Sequence, residues 1–182
     1  MNWINTILVL LAALLAVFWE AAFPGLRHLL GAQIDLLPAL MVYASLYAGI
    51  ATVALLAVCG GLWFDSLSAN PFGVSVLPLL FCGILIYAAR ELLLREETFA
   101  QVVLGMAASL ATPLMVLVML LSAGHRPLAG WGTIWQLIVM TAAGAVASPV
   151  FCACFGYLNQ LLGYAEVTTT SFRPDREIRR GR

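Results

Sequence analysis

Charged residues are scarce in this sequence of 182 residues, at 10% against 63% hydrophobic residues. This scarcity excludes an ordinary soluble domain, in which about 25% of residues are charged. Several apolar runs reach about 20 residues, the length that an α-helix needs to cross about 30 Å of hydrocarbon. The runs are apolar throughout, whereas the strands of a membrane barrel alternate polar and apolar residues. The sequence therefore predicts an all-α polytopic membrane protein.

Residues that support catalysis or metal binding are also scarce. The chain has two histidines, His28 and His125, and neither has a second ligand at helical spacing. It has no glycine-rich phosphate loop and no Gly-x-Ser-x-Gly sequence. The cysteines lie inside apolar runs, where they act as small apolar residues: Cys59, Cys82, Cys152 and Cys154. We therefore expect no enzyme, no metal, no cofactor and no nucleic-acid partner.

The apolar runs predict about six transmembrane helices. Their approximate ranges are 4–23, 36–47, 51–65, 74–89 (interrupted by Pro78), 99–121 and 131–162. The second and third divide one run that would measure about 43 Å as a single helix, well beyond the hydrocarbon thickness. Five helices remain the alternative, with that run as one tilted helix. Residues 1–165 then form a single transmembrane domain, and 166–182 form a flexible basic tail.

The arginines predict the orientation, because positive residues favour the cytoplasmic side. With six helices, seven arginines share one side, and Arg27 and Arg126 lie on the other. Both termini are then cytoplasmic. The tail arginines are candidate contacts for anionic lipid or a cytoplasmic protein, although an unengaged tail is an equal alternative: Arg173, Arg176, Arg179 and Arg180, with Arg182 beyond them.

Asp65 is the acidic residue that ends a long apolar tract, after Gly60 and Gly61. A carboxylate at membrane depth usually has a partner or a task. It could cap a turn through the amides of residues 66–69, pair with a polar group of another helix, or relay a proton or ion. We favour the structural role. For Glu20, in the last turn of the first helix, we favour an interfacial carboxylate that reaches water.

Small residues recur every four positions in the last helix, and they predict close approach by another helix. This helix-packing stripe consists of Gly144, Ser148, Cys152 and Gly156. Gly105 and Ser109 in the fifth helix have the same spacing, and Pro113 is expected to kink that helix.

The segment 60–73, with Gly61, Asp65 and Gly73 as its motif positions, resembles the signature of the bacterial rod-shape-determining protein MreD family. The short helix that contains Pro38 and the charged break at 90–97 support the resemblance. It implies a fold similar to the substrate-binding subunits of energy-coupling-factor transporters. It also implies a multi-pass inner-membrane scaffold or regulator of cell elongation, cell shape and peptidoglycan synthesis. The implied partners are an MreC-like protein, RodA with its class B penicillin-binding transpeptidase, MreB and membrane lipids.

Two other functions stay open at this point. One is a carrier subunit that binds a lipid or small molecule in a pocket beneath the Asp65 turn, lined by Trp63, Phe64 and Phe72. The other is a membrane-embedded enzyme acting on lipid-linked substrates, which would require converging ionisable groups. That function predicts that Glu20, Asp35 and Asp65 meet in the folded chain.

Overall fold

The computed structural model describes residues 3–22, 31–68, 71–91, 97–124 and 130–161. Within these ranges the chain forms six α-helices and no β-strand. The helices are α1 (Trp3–Ala22), α2 (Leu37–Tyr47), α3 (Ile50–Leu67), α4 (Val76–Ala89), α5 (Thr98–Ser122) and α6 (Trp131–Leu161). The histidines and the tail arginines lie outside the described residues.

The long apolar run after Asp35 forms two helices, as predicted. α2 ends at Tyr47 and α3 begins at Ile50, with Gly49 in extended conformation between them. One continuous helix over this run is therefore wrong.

Four helices are long and apolar enough to cross a membrane: α1, α3, α5 and α6. The other two, α2 and α4, are apolar but shorter, with 11 and 14 residues. At 1.5 Å per residue, α2 is about 16 Å long, roughly half the thickness of the hydrocarbon core. The described helices therefore fit a membrane protein, with two helices that are short for a full crossing.

Helix α2 lies at the centre of the bundle and packs against each of the other five helices. Ten of its eleven residues are buried, which agrees with an apolar surface on all sides. Leu40 and Met41 belong to the main core cluster, together with Val53 and Leu56 of α3. The apolar core is therefore built around α2.

Helix α4 begins later than the sequence predicts. Residues 72–75 form a turn, and the helix starts at Val76. Pro78 thus occupies the first helical turn, where its missing N–H leaves no hydrogen bond unmade. The predicted interruption of the helix by Pro78 is wrong for this reason.

Side-chain hydrogen bonds show which helix ends lie together. Thr6 and Thr52 join the beginnings of α1 and α3, with their hydroxyl oxygens 2.8 Å apart. Asn159, near the end of α6, donates to the Tyr43 hydroxyl of α2. We call this the tyrosine end of the bundle. The opposite end, which carries Glu20, Asp35 and Asp65, is the carboxyl end.

Candidate functional site

Asp65 holds the connection between α3 and α4. Its Oδ2 accepts hydrogen bonds from the backbone amides of Gly73, at 2.8 Å, and Ser75, at 3.1 Å. Its Oδ1 accepts from the Ser75 hydroxyl at 2.5 Å. Asp65 is almost fully buried and faces the N-terminus of α4, where the helix dipole favours a negative charge. The carboxylate therefore fixes the turn, although through Gly73 and Ser75 rather than through the amides of residues 66–69.

Two glycines make this arrangement possible. A Cβ on Gly61 would lie 2.9 Å from the Cα of Val76, so only glycine lets the start of α4 approach α3 this closely. Gly73 has φ +89°, a conformation that residues with a side chain rarely adopt. The three motif residues and Ser75 thus form one structural unit, which we call the α3–α4 clamp.

The residues proposed for a pocket beneath this turn have different surroundings. Trp63 and Phe64 pack against the main core cluster, and Phe72 is 70% exposed at the turn. These three side chains therefore give the expected pocket no support.

Two further carboxyl groups meet at the beginning of α2. Glu20 Oε1 accepts a hydrogen bond from the Leu36 amide at 2.7 Å, and Asp35 Oδ1 accepts from the Leu37 amide at 2.9 Å. Glu20 Oε2 is buried and has no hydrogen-bond partner among the described residues. The expectation that Glu20 reaches water is therefore wrong, because the returning chain covers its carboxyl group and supplies an amide.

Asp35 connects these groups with the α3–α4 clamp. Burial raises the pKa of the Asp35 carboxyl, and the negative charge of nearby Asp65 raises it further, while the hydrogen bond from Leu37 lowers it. Glu20 and Asp35 bind adjacent amides, so their carboxyl groups also lie close together. We call Glu20, Asp35 and Asp65 the carboxyl cluster. It contains one carboxyl group from the end of α1, one from the segment before α2, and one from α3.

The segment before α2 is also attached to α6. Gln136 Oε1 accepts from the Gln33 amide at 3.1 Å, and its Nε2 donates to the Gln33 carbonyl at 3.0 Å. A glutamine side chain that pairs with both backbone groups of one residue acts like a short strand pairing. It therefore fixes the position of this segment across the carboxyl end.

The tyrosine end has a separate polar network. The Tyr43 hydroxyl donates to Asn5 Oδ1 at 3.3 Å and accepts from Asn159 Nδ2 at 3.3 Å, which joins α1, α2 and α6. The Tyr43 ring stacks on Tyr47 and on Phe155, with centroids 5.4 and 4.4 Å away. These contacts anchor the end of α2 to the surrounding helices.

The predicted helix-packing stripe is used over only part of its length. A Cβ on Gly105 would meet the Gly144 carbonyl oxygen and would lie 2.6 Å from Ser148 Cβ, so α5 and α6 touch through their backbones there. Cys152 instead belongs to the main core around α2, and Gly156 is exposed with nothing near its Cβ position. Twelve residues turn a helix by about 120° beyond whole turns. Gly156 therefore does not pack against α5, because the stripe rotates away from that helix.

No candidate metal site occurs among the described residues. No group of three or more His, Cys, Asp or Glu side chains in these ranges has the arrangement to hold a metal ion. In the carboxyl cluster each carboxyl group accepts a hydrogen bond from a backbone amide.

Comparison with known proteins finds no matching family model, no curated relative and no similar solved structure. The basis for a functional proposal is therefore the geometry of the chain itself, together with the resemblance of segment 60–73.

Sequence reasoning missed that Glu20 and Asp35 bind neighbouring amides. A signal was available, since six alternating helices place both residues on the same side of the membrane. The short length of α2 was a second signal, because its first amides would need partners other than bulk water.

Proposed function

We propose that this chain is a non-catalytic scaffold or regulator of the MreD class in the bacterial inner membrane, with both termini cytoplasmic. Its proposed partners are an MreC-like protein, RodA with its class B penicillin-binding transpeptidase, and MreB. The proposal includes a fold like that of the substrate-binding subunits of energy-coupling-factor transporters. It rests on the resemblance of segment 60–73 and on what the motif residues do in the fold.

The observation that supports this proposal best is the α3–α4 clamp. Both oxygens of Asp65 already accept hydrogen bonds from Gly73 and Ser75, and Gly61 is in contact with Val76. All the motif residues hold the shape of one turn, and none is left free to react. A docking surface needs such a fixed shape, whereas a reactive centre needs groups that are free to react.

Phe72, which lies beside the clamp, is the residue that we propose contacts the partner. Its side chain is 70% exposed, while the residue that follows it is held by Asp65. Aromatic side chains are enriched at interface hot spots, because they bury a large area at little entropic cost. Phe72, next to a residue that Asp65 holds in place, therefore suits binding to a partner at the membrane boundary.

The test is co-purification in detergent with a candidate MreC-like protein. Asp65→Ala and Gly61→Leu should reduce recovery of the partner, because each disturbs the clamp. Phe72→Ala should reduce it at least tenfold while leaving the fold unchanged, since its side chain makes little contact within the chain. Phe99→Ala is the matched control, because Phe99 is also exposed, at 78%, but lies at the tyrosine end.

Recovery of the partner should be normal for Phe99→Ala. If well-folded Asp65→Ala, Gly61→Leu and Phe72→Ala all recover the partner as the wild type does, this segment has no part in association. Equal losses for Phe72→Ala and Phe99→Ala would mean that exposed aromatic residues act through the detergent micelle, and the docking role of the turn would be refuted.

A second candidate is a membrane-embedded enzyme acting on lipid-linked substrates, and one observation favours it. Glu20, Asp35 and Asp65 meet at one end of the bundle, and Glu20 Oε2 is buried with no partner in the part of the chain that the structure describes. Paired carboxyl groups with different surroundings are suited to general acid and base roles.

The enzyme candidate is tested by incubating purified protein with lipid-linked saccharide precursors and following turnover by mass spectrometry. Glu20→Gln keeps a carbonyl oxygen for the Leu36 amide but cannot exchange a proton. Turnover that disappears in Glu20→Gln would support the enzyme. No turnover by folded wild-type protein, or equal turnover by the variant, would reject it.

A further inference from the structure

Exposed tryptophan and tyrosine side chains lie only at the two ends of the bundle, within the residue ranges described above. They are Trp3 and Tyr157 at the tyrosine end, and Trp19, Trp131 and Trp135 at the carboxyl end. An indole or a phenol combines an apolar ring with a polar group, so these side chains favour the boundary between hydrocarbon and water. We call the two sets the aromatic belts.

Hydrogen bonds of neighbouring residues assign each belt to its end. Thr6 and Asn159, close to Trp3 and Tyr157 in sequence, join helices at the tyrosine end. Glu20 follows Trp19, and Gln136 follows Trp135. Both of these residues bind the segment before α2, at the carboxyl end. The belts therefore mark two levels of the same bundle.

Helix α1 carries one residue of each belt and so measures the distance between them. Trp3 and Trp19 are 67% and 54% exposed. They lie 16 residues apart, which is about 24 Å along a helix and less across the membrane if α1 is tilted. All the exposed side chains between them are apolar: Ile4, Ile7, Leu11, Leu14, Leu15 and Phe18. The apolar surface of α1 is therefore about 6 Å shorter than a hydrocarbon core of about 30 Å.

Helix α4 is a second short helix with an exposed apolar side. It has 14 residues, about 21 Å along the helix, and the exposed Glu91 lies just beyond it. Its exposed side chains are Leu77, Phe81, Ile84, Leu85 and Ala88. Helix α3 packs against both α1 and α4. Two helices that face outward from the bundle are therefore short for a core of ordinary thickness.

The longer helices do not determine which bilayer fits. Between Trp135 and Tyr157, α6 measures about 33 Å. A helix that is longer than the hydrocarbon core can tilt, whereas a shorter helix is accommodated when the bilayer beside it becomes thinner. The shortest outward-facing helices therefore set the preferred thickness. Helix α2 is shorter still, but it is buried and does not face lipid.

We propose that this chain fits a bilayer whose hydrocarbon core is about 24 Å thick, and that it binds phospholipids with short acyl chains in preference to longer ones. A bilayer of ordinary thickness is then thinned beside α1 and α4. The inference rests on the membrane location in the proposed function, and on neither its partners nor a reaction.

The test is reconstitution of the protein into vesicles of dimyristoleoyl-, dipalmitoleoyl-, dioleoyl- and dierucoyl-phosphatidylcholine. Flotation of the vesicles measures insertion. Relative lipid affinity is measured by competition with dibrominated dioleoyl-phosphatidylcholine, which quenches tryptophan fluorescence. The dimyristoleoyl lipid should compete about threefold or more better than the dioleoyl lipid, and the dierucoyl lipid should compete worst, because mismatch has a cost for each Å.

A pair of double variants tests whether the belts cause the preference. Trp3→Leu combined with Tyr157→Leu removes the belt at the tyrosine end and should abolish most of the preference. Phe18→Leu combined with Phe81→Leu is the matched control, because both residues are exposed aromatics that belong to neither belt. The control should keep the wild-type preference. Circular dichroism of each preparation checks the fold.

Wild-type protein that floats with every vesicle but binds all four lipids equally, or binds the dioleoyl lipid best, would overturn this inference and leave the scaffold proposal standing. Protein that floats with none of the vesicles would overturn the membrane location and both proposals with it. A folded belt variant that keeps the full preference would refute the belts as its cause.

Discussion

Replacing Asp65 separates a role in shaping the turn from a role that needs a charge. Asp65→Ala removes the acceptor for two amides and one hydroxyl. A buried donor left without a partner costs about 1–3 kcal/mol, which applies in full to the buried Ser75 amide, and the half-buried Gly73 amide adds a smaller cost. That loss is a large part of a typical free energy of unfolding, about 5–15 kcal/mol. We therefore expect Asp65→Ala to unfold at much lower denaturant concentration.

Asp65→Asn should behave differently. The Asn carbonyl oxygen can accept from both amides, Gly73 and Ser75, and its amide can donate to the Ser75 hydroxyl in the reverse direction. What is lost is the charge assistance, worth about 1 kcal/mol or more. Part of that loss is offset because the repulsion between Asp65 and Asp35 disappears. We expect Asp65→Asn to lie much closer to the wild type than Asp65→Ala does.

The assay is reversible unfolding in mixed detergent micelles, followed by tryptophan fluorescence, with partner recovery measured on the same preparations. Trp63 lies two residues from Asp65 and reports on this region. Asp65→Asn should also retain partner binding. Equal destabilisation by Asn and Ala would refute the reasoning from hydrogen bonds. A stable Asp65→Asn protein without function would instead indicate that the charge itself, or its proton, is used.

Three more predictions follow from contacts and charge. Gly61→Ala should lower the free energy of unfolding by about 1–3 kcal/mol, since the new methyl group meets the backbone of α4. Gly156→Ala is the control, because the space around its Cβ position is open, and it should be neutral or slightly stabilising in the same unfolding assay. Gly144→Ala should weaken α5–α6 packing, measured as a lower Tm, because its Cβ would lie 2.5 Å from that of Ser109. The Asp35 pKa is raised in the folded protein, so stability should be highest below the ordinary value of 3.8 and fall as the pH rises through the folded pKa. Asp35→Asn should flatten that fall, measured as Tm against pH.

The helices could be predicted from the sequence, because each depends on the length and hydropathy of its own apolar run. The division near Gly49 followed from a run too long for the hydrocarbon core, and the structure confirms it. The partners of Asp65 could not be predicted in the same way. They lie eight and ten residues further on, and their positions depend on the path of the turn and on the close approach that Gly61 allows.

Contacts between distant segments could not be predicted either, because they also depend on the path of the chain. Glu20 and Leu36 are joined across 16 residues, and nothing in the local pattern specifies that the chain returns to this carboxyl group. The stripe ending at Gly156 shows the opposite case, in which a regular local pattern predicts contacts that α5 makes only at Gly144 and Ser148. A spacing of four residues drifts by about 40° per repeat against a helix of 3.6 residues per turn. Only the positions nearest Gly105 can therefore face α5.

The shortness of α2 explains why carboxyl groups are buried at one end of the bundle. A helix about 16 Å long spans only about half of a hydrocarbon core of about 30 Å, so in a membrane its terminal groups would lie where unpaired amides and carbonyls are costly. Glu20 and Asp35 accept from the amides at its beginning, and Arg90 donates to the Ala48 carbonyl at its other end. Capping requires a carbonyl oxygen but no exchangeable proton. A fold that survives Glu20→Gln would therefore be the result expected of a helix cap, and turnover measured on that folded variant then separates the scaffold from the enzyme.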